Sequence, residues 1–451
     1  MTTANQDLLL AFYGDDFTGS TDALEFLNRA GAKTVLFIEP PRPEQLARYP
    51  GLRAIGVAGM TRSMTPAAME RELVPAFTAL RALGARHIHY KVCSTFDSSP
   101  TIGSIGKAID IGAAIFKGAF VPLLVAAPAL GRYCLFGNLF ARMGTGSGAP
   151  VHRLDRHPSM SRHPVTPADE SDLRLHLARQ TNKQIGLMDL LQVTLPAKEA
   201  AAALETTIGN GAEIVLFDAF QESQLAGIGR LIDAYAGPGK SLFSAGSSGI
   251  EMALGSHWVR EGWLQAPESP GSAGTEAPLL AVSGSCSPVT AAQIAWALQQ
   301  GFAEIVLDTT AIAREGPHAA ITENYIASAV SLIREGRSVI VHTGGGSAAS
   351  GRINDTASLF GTALGNIMRA VTAQTSVKRM VIAGGDTSSF AARALGIEAV
   401  EMIAPLTPGA PLCRAFAPGS PADGREIVFK GGQVGQEDYF GTVMQGTTLS
   451  R

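Results

Sequence analysis

LLLAFYGDDFTGSTD, residues 8–22, is the stretch from which the fold is read. Its first six residues, Leu8 to Tyr13, form an unbroken apolar run, the pattern of a strand buried on both faces of a parallel sheet. The run breaks at Gly14, and Thr21-Asp22 are placed to open an amphipathic helix, Ala23-Leu24-Glu25-Phe26-Leu27. Asp15 and Asp16 then sit on the loop leaving the carboxyl end of a strand, where open α/β sheets bind their ligands. Gly14 and Gly19 permit close approach of the backbone, and Thr18, Ser20 and Thr21 add hydroxyls. Paired carboxylates in that place can hold a metal ion, take a proton from a substrate hydroxyl, or grip polyol oxygens. The competing reading is a capping turn whose acids serve only the helix.

A chain of 451 residues is too long for one core, so two domains are expected. With 46% hydrophobic and 17% charged residues, disorder is excluded. A net charge of −3 argues against nucleic acid or an anionic membrane as partner. Cys93, Cys134, Cys286 and Cys413 are scattered without a C-x-x-C, which fits a reducing compartment better than a disulfide framework or zinc knuckle. Met1 to Asp7 lacks the marks of a signal peptide. The longest apolar stretch, Phe120 to Leu130, is short and carries Pro122 and Pro128. A soluble cytoplasmic protein is the expectation.

The first half alternates strand and helix. Strands are expected at Thr34 to Ile38, Leu52 to Ala58, His87 to Val92, Val121 to Ala127, Glu213 to Asp218 and Leu242 to Ser244. Helices are expected at Ala67 to Leu83, Ile105 to Phe116, Asp169 to Gln180, Ala197 to Ile208 and Gln221 to Tyr235. Repeated units of this kind make a mostly parallel sheet flanked by helices. Between Gly131 and Pro167 the periodicity fades, which suggests a flap or a functional loop. PESPGSAGTEAP, residues 267–278, reads as a linker. Beyond it the alternation restarts with strands at Leu279 to Val282, Glu304 to Leu307, Ser338 to His342 and Arg379 to Ala383. Helices fall at Val289 to Gln300, Ile321 to Arg334 and Ser358 to Ala373. The expected organisation is an α/β fold of two domains, 1–266 and 279–451, each with a mostly parallel sheet flanked by helices and with the active site in the interdomain cleft.

Three patterns are set aside. Gly239-Lys240-Ser241 ends like a P-loop, but Ala234 replaces the first glycine and the helix precedes the strand. Gly344-Gly345-Gly346-Ser347-Ala348-Ala349 has a dinucleotide-like spacing, without the acidic residue that should close the next strand. It keeps an NAD-dependent dehydrogenase open as an alternative. His87 and His89 share a strand face but have no third ligand placed by sequence, so no metal site is assigned.

Stronger signals lie elsewhere. Ser283-Gly284-Ser285-Cys286-Ser287 and Gly384-Gly385-Asp386-Thr387-Ser388-Ser389 each follow a strand and open a helix, a geometry suited to phosphate oxygens. Lys430-Gly431-Gly432-Gln433 can close over a nucleotide or form a tight turn. In the first half, Lys91 and the loop Cys93-Ser94-Thr95-Phe96-Asp97 can meet a carboxylate or developing negative charge. Arg62 can clamp a substrate carboxylate bidentately, or pair with Asp15 or Asp16. His163 can reach the substrate or serve only loop packing.

These segments, GDDFTGSTD, KVCSTFDSSP, RHPVTP, SGSCSPVT, AGGDTSS and FKGGQVG, resemble the four-carbon acid sugar kinase family in type and order. The resemblance implies a sugar-acid-binding N-terminal domain, a nucleotide-binding C-terminal domain without a P-loop, and phosphorylation of a terminal hydroxyl by ATP. ATP contacts are implied at Ser285, at Gly384, Gly385, Asp386 and Thr387, and at Gly432, with Ser283 beside them. The Lys91 loop is similar to the 3-oxo-tetronate kinase branch more than to the threonate kinases, so a 3-oxo-tetronate is the expected acceptor, with D-threonate or D-erythronate as the alternative. The 131–167 segment departs from both, which leaves a branched acid such as 3-oxo-isoapionate open. The expected mechanism uses Asp15 or Asp16 as base, the other orienting the hydroxyl or helping to bind Mg2+, with Arg62, Lys91, Ser94, Thr95 and Asp97 holding the acid. A non-catalytic sugar-acid-binding protein is the alternative from another class. A homodimer is the expected assembly.

Overall fold

The computed structural model describes residues 8–144, 148–163, 165–237, 239–268, 271–317, 320–344 and 353–447, the side chains of 353–356 excepted. Contacts divide the chain into two compact units. The first holds residues up to 15, 26–34 and 40–267; the second holds 16–25, 35–39 and 268 onward. The chain therefore passes from one unit to the other between Asp15 and Asp16.

In the first unit seven parallel strands lie in the order Ala54–Ala58, Leu10–Gly14, His87–Lys91, Leu242–Gly246, Val121–Leu124, Ile214–Phe217, Ile185–Met188. Every residue of Leu10–Gly14 is buried, as a strand with neighbours on both sides and helices on both faces requires. Glycines allow this packing. A Cβ on Gly56 would enter the Phe12 ring, and one on Gly229 would strike the Ala253 carbonyl between the helices Glu222–Asp233 and Gly249–Arg260. Asp233 closes that end of the sheet: Arg86 donates to both its oxygens at 2.8 Å, His87 Nε2 lies at 2.8 Å and Trp258 Nε1 at 3.2 Å. Burial alone would raise the Asp233 carboxyl, but these hydrogen bonds overcome it and hold it well below the usual range. His89 bonds Ser244, and its burial lowers it to about 3. Both histidines are thus packed core residues. Among the described residues no cluster of three His, Cys, Asp or Glu is arranged to hold a metal.

Part of the 131–167 segment is ordered where no periodicity marked it. Arg132–Leu135, Asn138–Arg142 and Val151–Arg153 form a small antiparallel sheet, followed by two short 3-10 turns. Its strands are too short and half-buried for an alternating pattern to show. Asp218 anchors it, accepting from the backbone N–H groups of Phe136 and Gly137.

In the second unit five parallel strands run Ala303–Val306, Val339–His342, Leu279–Ser283, Arg379–Ala383, Glu426–Lys430. Two antiparallel strands, Ala410–Phe416 and Ala399–Thr407, extend the sheet. Residues 35–37 add to its edge, Phe37 opposite Ala399. The core gathers Leu279, Ala281, Ile340, Val381 and Val428 against Tyr439, Phe440 and Val443. Arg379 is fully buried, with Nε 2.7 Å from Glu426 and its Nη1 amino group donating among the Gly274, Val443 and Met444 carbonyls. It ties residue 274 of the expected linker to the C-terminal helix Tyr439–Gln445. The P-loop-like 239–241 is a turn, Gly237 and Lys240 exchanging backbone hydrogen bonds. Of the Gly344 to Ala349 motif, residues 345–349 lie outside the described residues. No described helix is long and apolar enough to cross a membrane.

Candidate active site

The leading helix begins earlier than expected, at Phe17 rather than after Thr21. Asp16 is the reason. Its Oδ1 accepts from Gly19 N–H at 2.8 Å, a side-chain cap that satisfies an otherwise orphaned donor, and its Oδ2 accepts from the Thr18 hydroxyl at 2.8 Å. Thr18, Gly19, Ser20 and Thr21 consequently lie within the helix, and the loop shrinks to the two aspartates.

Those aspartates have different surroundings. Asp15, in the first unit, is buried, and both its oxygens are engaged by Arg62, from Nη2 at 2.9 Å and from Nε at 3.3 Å. Backbone bonds fix the frame: Asp15 N–H donates to the Lys91 carbonyl at 2.8 Å, and Arg62 N–H to the Asp15 carbonyl at 3.1 Å. Gly103, in the left-handed region at φ 59°, lets its loop rest on the Arg62 carbonyl, which a Cβ there would strike. Of the two roles open to Arg62, the structure shows the ion pair with Asp15.

The strand His87–Lys91 delivers the neighbouring loop. Lys91 is buried and donates to the Val92 carbonyl at 3.1 Å. Cys93 Sγ lies 2.9 Å from the Thr95 hydroxyl. Burial pushes the thiol up to about 11, with Asp97 and Asp15 adding to the rise and Arg62 opposing it. Asp97, Asp15 and Arg62 are therefore electrostatic neighbours of one sulfur. Ser94 is half-buried on the same turn. Phe96 adopts a left-handed φ of 58°, unusual for a bulky side chain. Ser98 holds it there by donating to its carbonyl at 3.0 Å. His176 Nε2 and Gln180 Nε2 each lie 3.0 Å from the Ser98 hydroxyl. Burial lowers His176, so it is neutral at pH 7. His163 does not join Arg62 or Lys91 in any hydrogen bond described; its Nδ1 accepts from Thr166 N–H at 3.1 Å and faces the Thr166 hydroxyl at 3.0 Å.

In the second unit the ladder of Leu279–Ser283, Arg379–Ala383 and Glu426–Lys430 brings three strand ends side by side. Gly284 N–H donates to the Ala383 carbonyl at 3.2 Å, and Gly384 N–H to the Lys430 carbonyl at 2.9 Å. The loops that follow meet with almost no side-chain volume between them. A Cβ on Gly284 would strike the Thr387 hydroxyl; one on Gly384 would lie 2.7 Å from it, and one on Gly432 2.8 Å from Ser285 Oγ. Ser285 Oγ accepts from Ser287 N–H, and Ser283 Oγ from Ser285 N–H. Gly385, Asp386 and Thr387 form the first turn of the helix Gly385–Ala394, where N–H groups point outward. Thr387 is buried and Asp386 exposed. Glycine turns at a helix N-terminus are a geometry suited to phosphate oxygens.

Asp16 and Thr18 belong to this cluster. Asp16 Oδ2 lies 3.7 Å, and the Thr18 hydroxyl 3.8 Å, from where a Gly385 Cβ would be, and Phe17 packs on Phe429 with ring centroids 4.3 Å apart. Beneath the 431–436 loop, Lys430 Nζ donates to the Thr290 hydroxyl at 2.9 Å and to the Gly431 carbonyl at 3.0 Å. Thr290 in turn donates to the Gly432 carbonyl, and Gln293 Nε2 to those of Val434 and Gln436. Burial lowers Lys430 from 10.5 to about 7. Gln293, His176 and Gln180 escaped the sequence reading. Each lies on a helix or loop remote in sequence from the residue it supports, and none carries a local signature.

Charged side chains at strand ends of the first unit and glycine turns in the second are the arrangement expected of a two-domain phosphotransferase without a P-loop. Residues 10–254 match the sugar-binding N-terminal domain, and residues 280–440 the nucleotide-binding C-terminal domain. The chain belongs to the four-carbon acid sugar kinase family and is an ATP-dependent sugar-acid kinase. It is 46% identical over 453 residues to a 3-oxo-isoapionate kinase of Paraburkholderia graminis, covering 97% of this chain and 94% of the relative. It is 30% identical to a 3-oxo-tetronate kinase of Pseudomonas fluorescens over 459 residues, 98% and 97% of the two chains. A crystal structure from Salmonella typhimurium LT2 superposes with a TM-score of 0.75 at 25% identity, covering 96% of this chain and 98% of the other.

Proposed function

We propose that this kinase transfers the γ-phosphoryl group of ATP to the terminal hydroxyl of a 3-oxo four-carbon acid, with the branched 3-oxo-isoapionate as its preferred acceptor. The Lys91 loop alone favours a linear 3-oxo-tetronate. The 46% identity to a 3-oxo-isoapionate kinase supports the branched acid instead, and the unusual 131–167 segment agrees with it.

Asp16 is the base. The observation that carries this assignment is its position against the Gly385 turn, because the attacking hydroxyl must lie beside the γ-phosphoryl group. Asp15, with both oxygens held by Arg62, orients the acceptor. Lys91, Ser94, Thr95 and Asp97 hold the acid, and His163 contributes by fixing Thr166. Ser283, Ser285, Gly384, Gly385, Thr387 and Gly432 take the phosphates through N–H and hydroxyl donors. Asp386 and Asp16 offer carboxylates of the kind that hold Mg2+ together with nucleotide phosphates. The ion, when bound, neutralises developing charge on the transferred group.

The test is coupled detection of ADP with a panel of 3-oxo-isoapionate, 3-oxo-tetronate, D-threonate and D-erythronate. The branched acid is expected to give the highest kcat/KM. No turnover with any 3-oxo acid would sink the reading, and would favour a binding protein.

A further inference from the structure

Beside the loop proposed to hold the acid lies a small, partly open cavity, lined by Thr95, Asp97 and Ser98 on one side and by Thr166, Ala168 and His176 on the other. It has room for about one water molecule. Its two walls have different origins. The first is the loop leaving the strand His87–Lys91; the second comes from the segment after the small antiparallel sheet and from the helix Leu173–Ala178.

Three observations mark the cavity as a subsite rather than a packing fault. The Asp97 Oδ1 atom is buried with no hydrogen-bond partner among the described residues, and a buried carboxylate oxygen left unsatisfied is costly unless something completes it. The wall around it is rigid: Phe96 is held in a left-handed conformation, and Ser98 is fixed by His176 and Gln180. Thr166 is pinned through both its N–H and its hydroxyl to His163. The cavity also adjoins the place where the acid is expected, since Asp97 shares the electrostatic surroundings of Cys93 with Asp15 and Arg62.

We propose that this cavity is the specificity subsite for the branch of the substrate, the terminal hydroxyl of its hydroxymethyl group taking the water-sized space and donating its O–H to Asp97 Oδ1 while the methylene stays at the cavity mouth, with Thr166 and Ala168 as the wall that selects it. A linear four-carbon acid leaves the space to water and the carboxylate oxygen without a substrate donor. A site built to hydrogen-bond one substrate hydroxyl discriminates against an analogue lacking it far more strongly than a merely apolar pocket does.

The inference rests on the sugar-acid kinase reading, so the test separates the two. The full chain and its Ala168→Leu, Ala168→Val and Asp97→Asn variants are assayed by ADP release with 3-oxo-isoapionate and with a linear 3-oxo-tetronate, thermal melting confirming that each variant is folded. The wild-type protein is expected to favour the branched acid by at least ~10-fold in kcat/KM. Ala168→Leu fills the cavity and is expected to lower the branched-to-linear ratio by ~10-fold or more, with Ala168→Val and Asp97→Asn shifting it the same way by less. Should Ala168→Leu fail to fold, the other two variants decide. A ratio that stays put in every folded variant, or a wild-type protein with no preference, overturns the subsite while leaving the kinase intact. Absence of turnover with both acids fails the kinase reading and the subsite with it.

Discussion

The acid side and the nucleotide side of this protein are built from opposite materials. In the first unit, the proposed acid site is framed by side chains locked by other side chains: Arg62 on Asp15, His176 and Gln180 on Ser98, His163 on Thr166. In the second, Gly284, Gly384 and Gly432 leave so little room that a single added methyl would meet Thr387 or Ser285. Side-chain scaffolds can be retuned one residue at a time, whereas a backbone cradle has no spare volume to vary. The acid side is accordingly where differences in substrate among relatives can arise, and the nucleotide side is where substitution should be uniformly damaging.

The sharpest way to break this division is to change the two adjacent aspartates. Asp16→Asn is expected to lower kcat by ~10²–10⁴-fold, the usual loss when a general base is removed, with KM for ATP changing little. Asp15→Asn should act mainly through KM for the acid. If Asp15→Asn instead carries the kcat loss and Asp16→Asn keeps near wild-type turnover, the base belongs to the side-chain scaffold and the assignment is reversed.

Gly384→Ala and Gly432→Ala come next. The Cβ would lie 2.7 Å from the Thr387 hydroxyl in the first and 2.8 Å from Ser285 Oγ in the second, and Gly384 also sits at φ 122°. Each should raise KM for ATP by ~10-fold or more, about 1.4 kcal/mol of lost binding, while KM for the acid stays within a factor of two or so. Isothermal titration with a non-hydrolysable ATP analogue reads the same loss without turnover. Equal effects on both substrates would erase the contrast between the two sides.

Arg62→Met probes the other material. It leaves Asp15 buried without its cation, which costs roughly 1–3 kcal/mol of stability when a buried carboxylate loses its partner. Loss of a neighbouring positive charge also favours the protonated acid. The acidic limb of the kcat/KM profile for the acid should therefore move to higher pH, as a profile measured from pH 5 to 8 would show. An unmoved limb with a raised KM would mean that Arg62 acts on the substrate itself rather than through Asp15.

How far these sides were legible in the sequence follows from how each is made. Glycine and serine turns between strand and helix are local patterns, so Ser283 to Ser287, Gly384 to Thr387 and Gly432 could be named, and the structure does bring them together. The parallel strands were legible for the same reason, through runs such as Leu10 to Tyr13 and Arg379 to Ala383. The acid side depends on pairings across long separations, Ser98 with His176 or Asp15 with Arg62, which no window of sequence displays. The start of the leading helix was missed because Asp16, read as a loop acid, is also its cap. The strand containing 35–37 was legible as a strand, but its pairing with Ala399 to Glu401 was not. An apolar run states that a strand is buried but not beside which partner.

Lys430 offers the smallest and most specific test, because it is the one buried cation among the described residues beneath the nucleotide loops. Burial lowers its pKa from 10.5 to about 7. Below pH 7 the lysine is charged in both native and unfolded chains, so its contribution is flat. Between about 7 and 10.5 the unfolded chain keeps the proton that the native chain releases, and stability gains up to ~1.4 kcal/mol per pH unit from this group. Lys430→Met removes that slope. Urea unfolding of wild type and variant at pH 7, 8 and 9 should show the wild-type protein gaining on the variant as pH rises. A difference between them that is the same at all three values would mean that Lys430 keeps its charge, held by Thr290 and the Gly431 carbonyl. The backbone cradle would then be standing on a permanent cation, and the contrast with the charged acid side would be weaker than the glycines alone suggest.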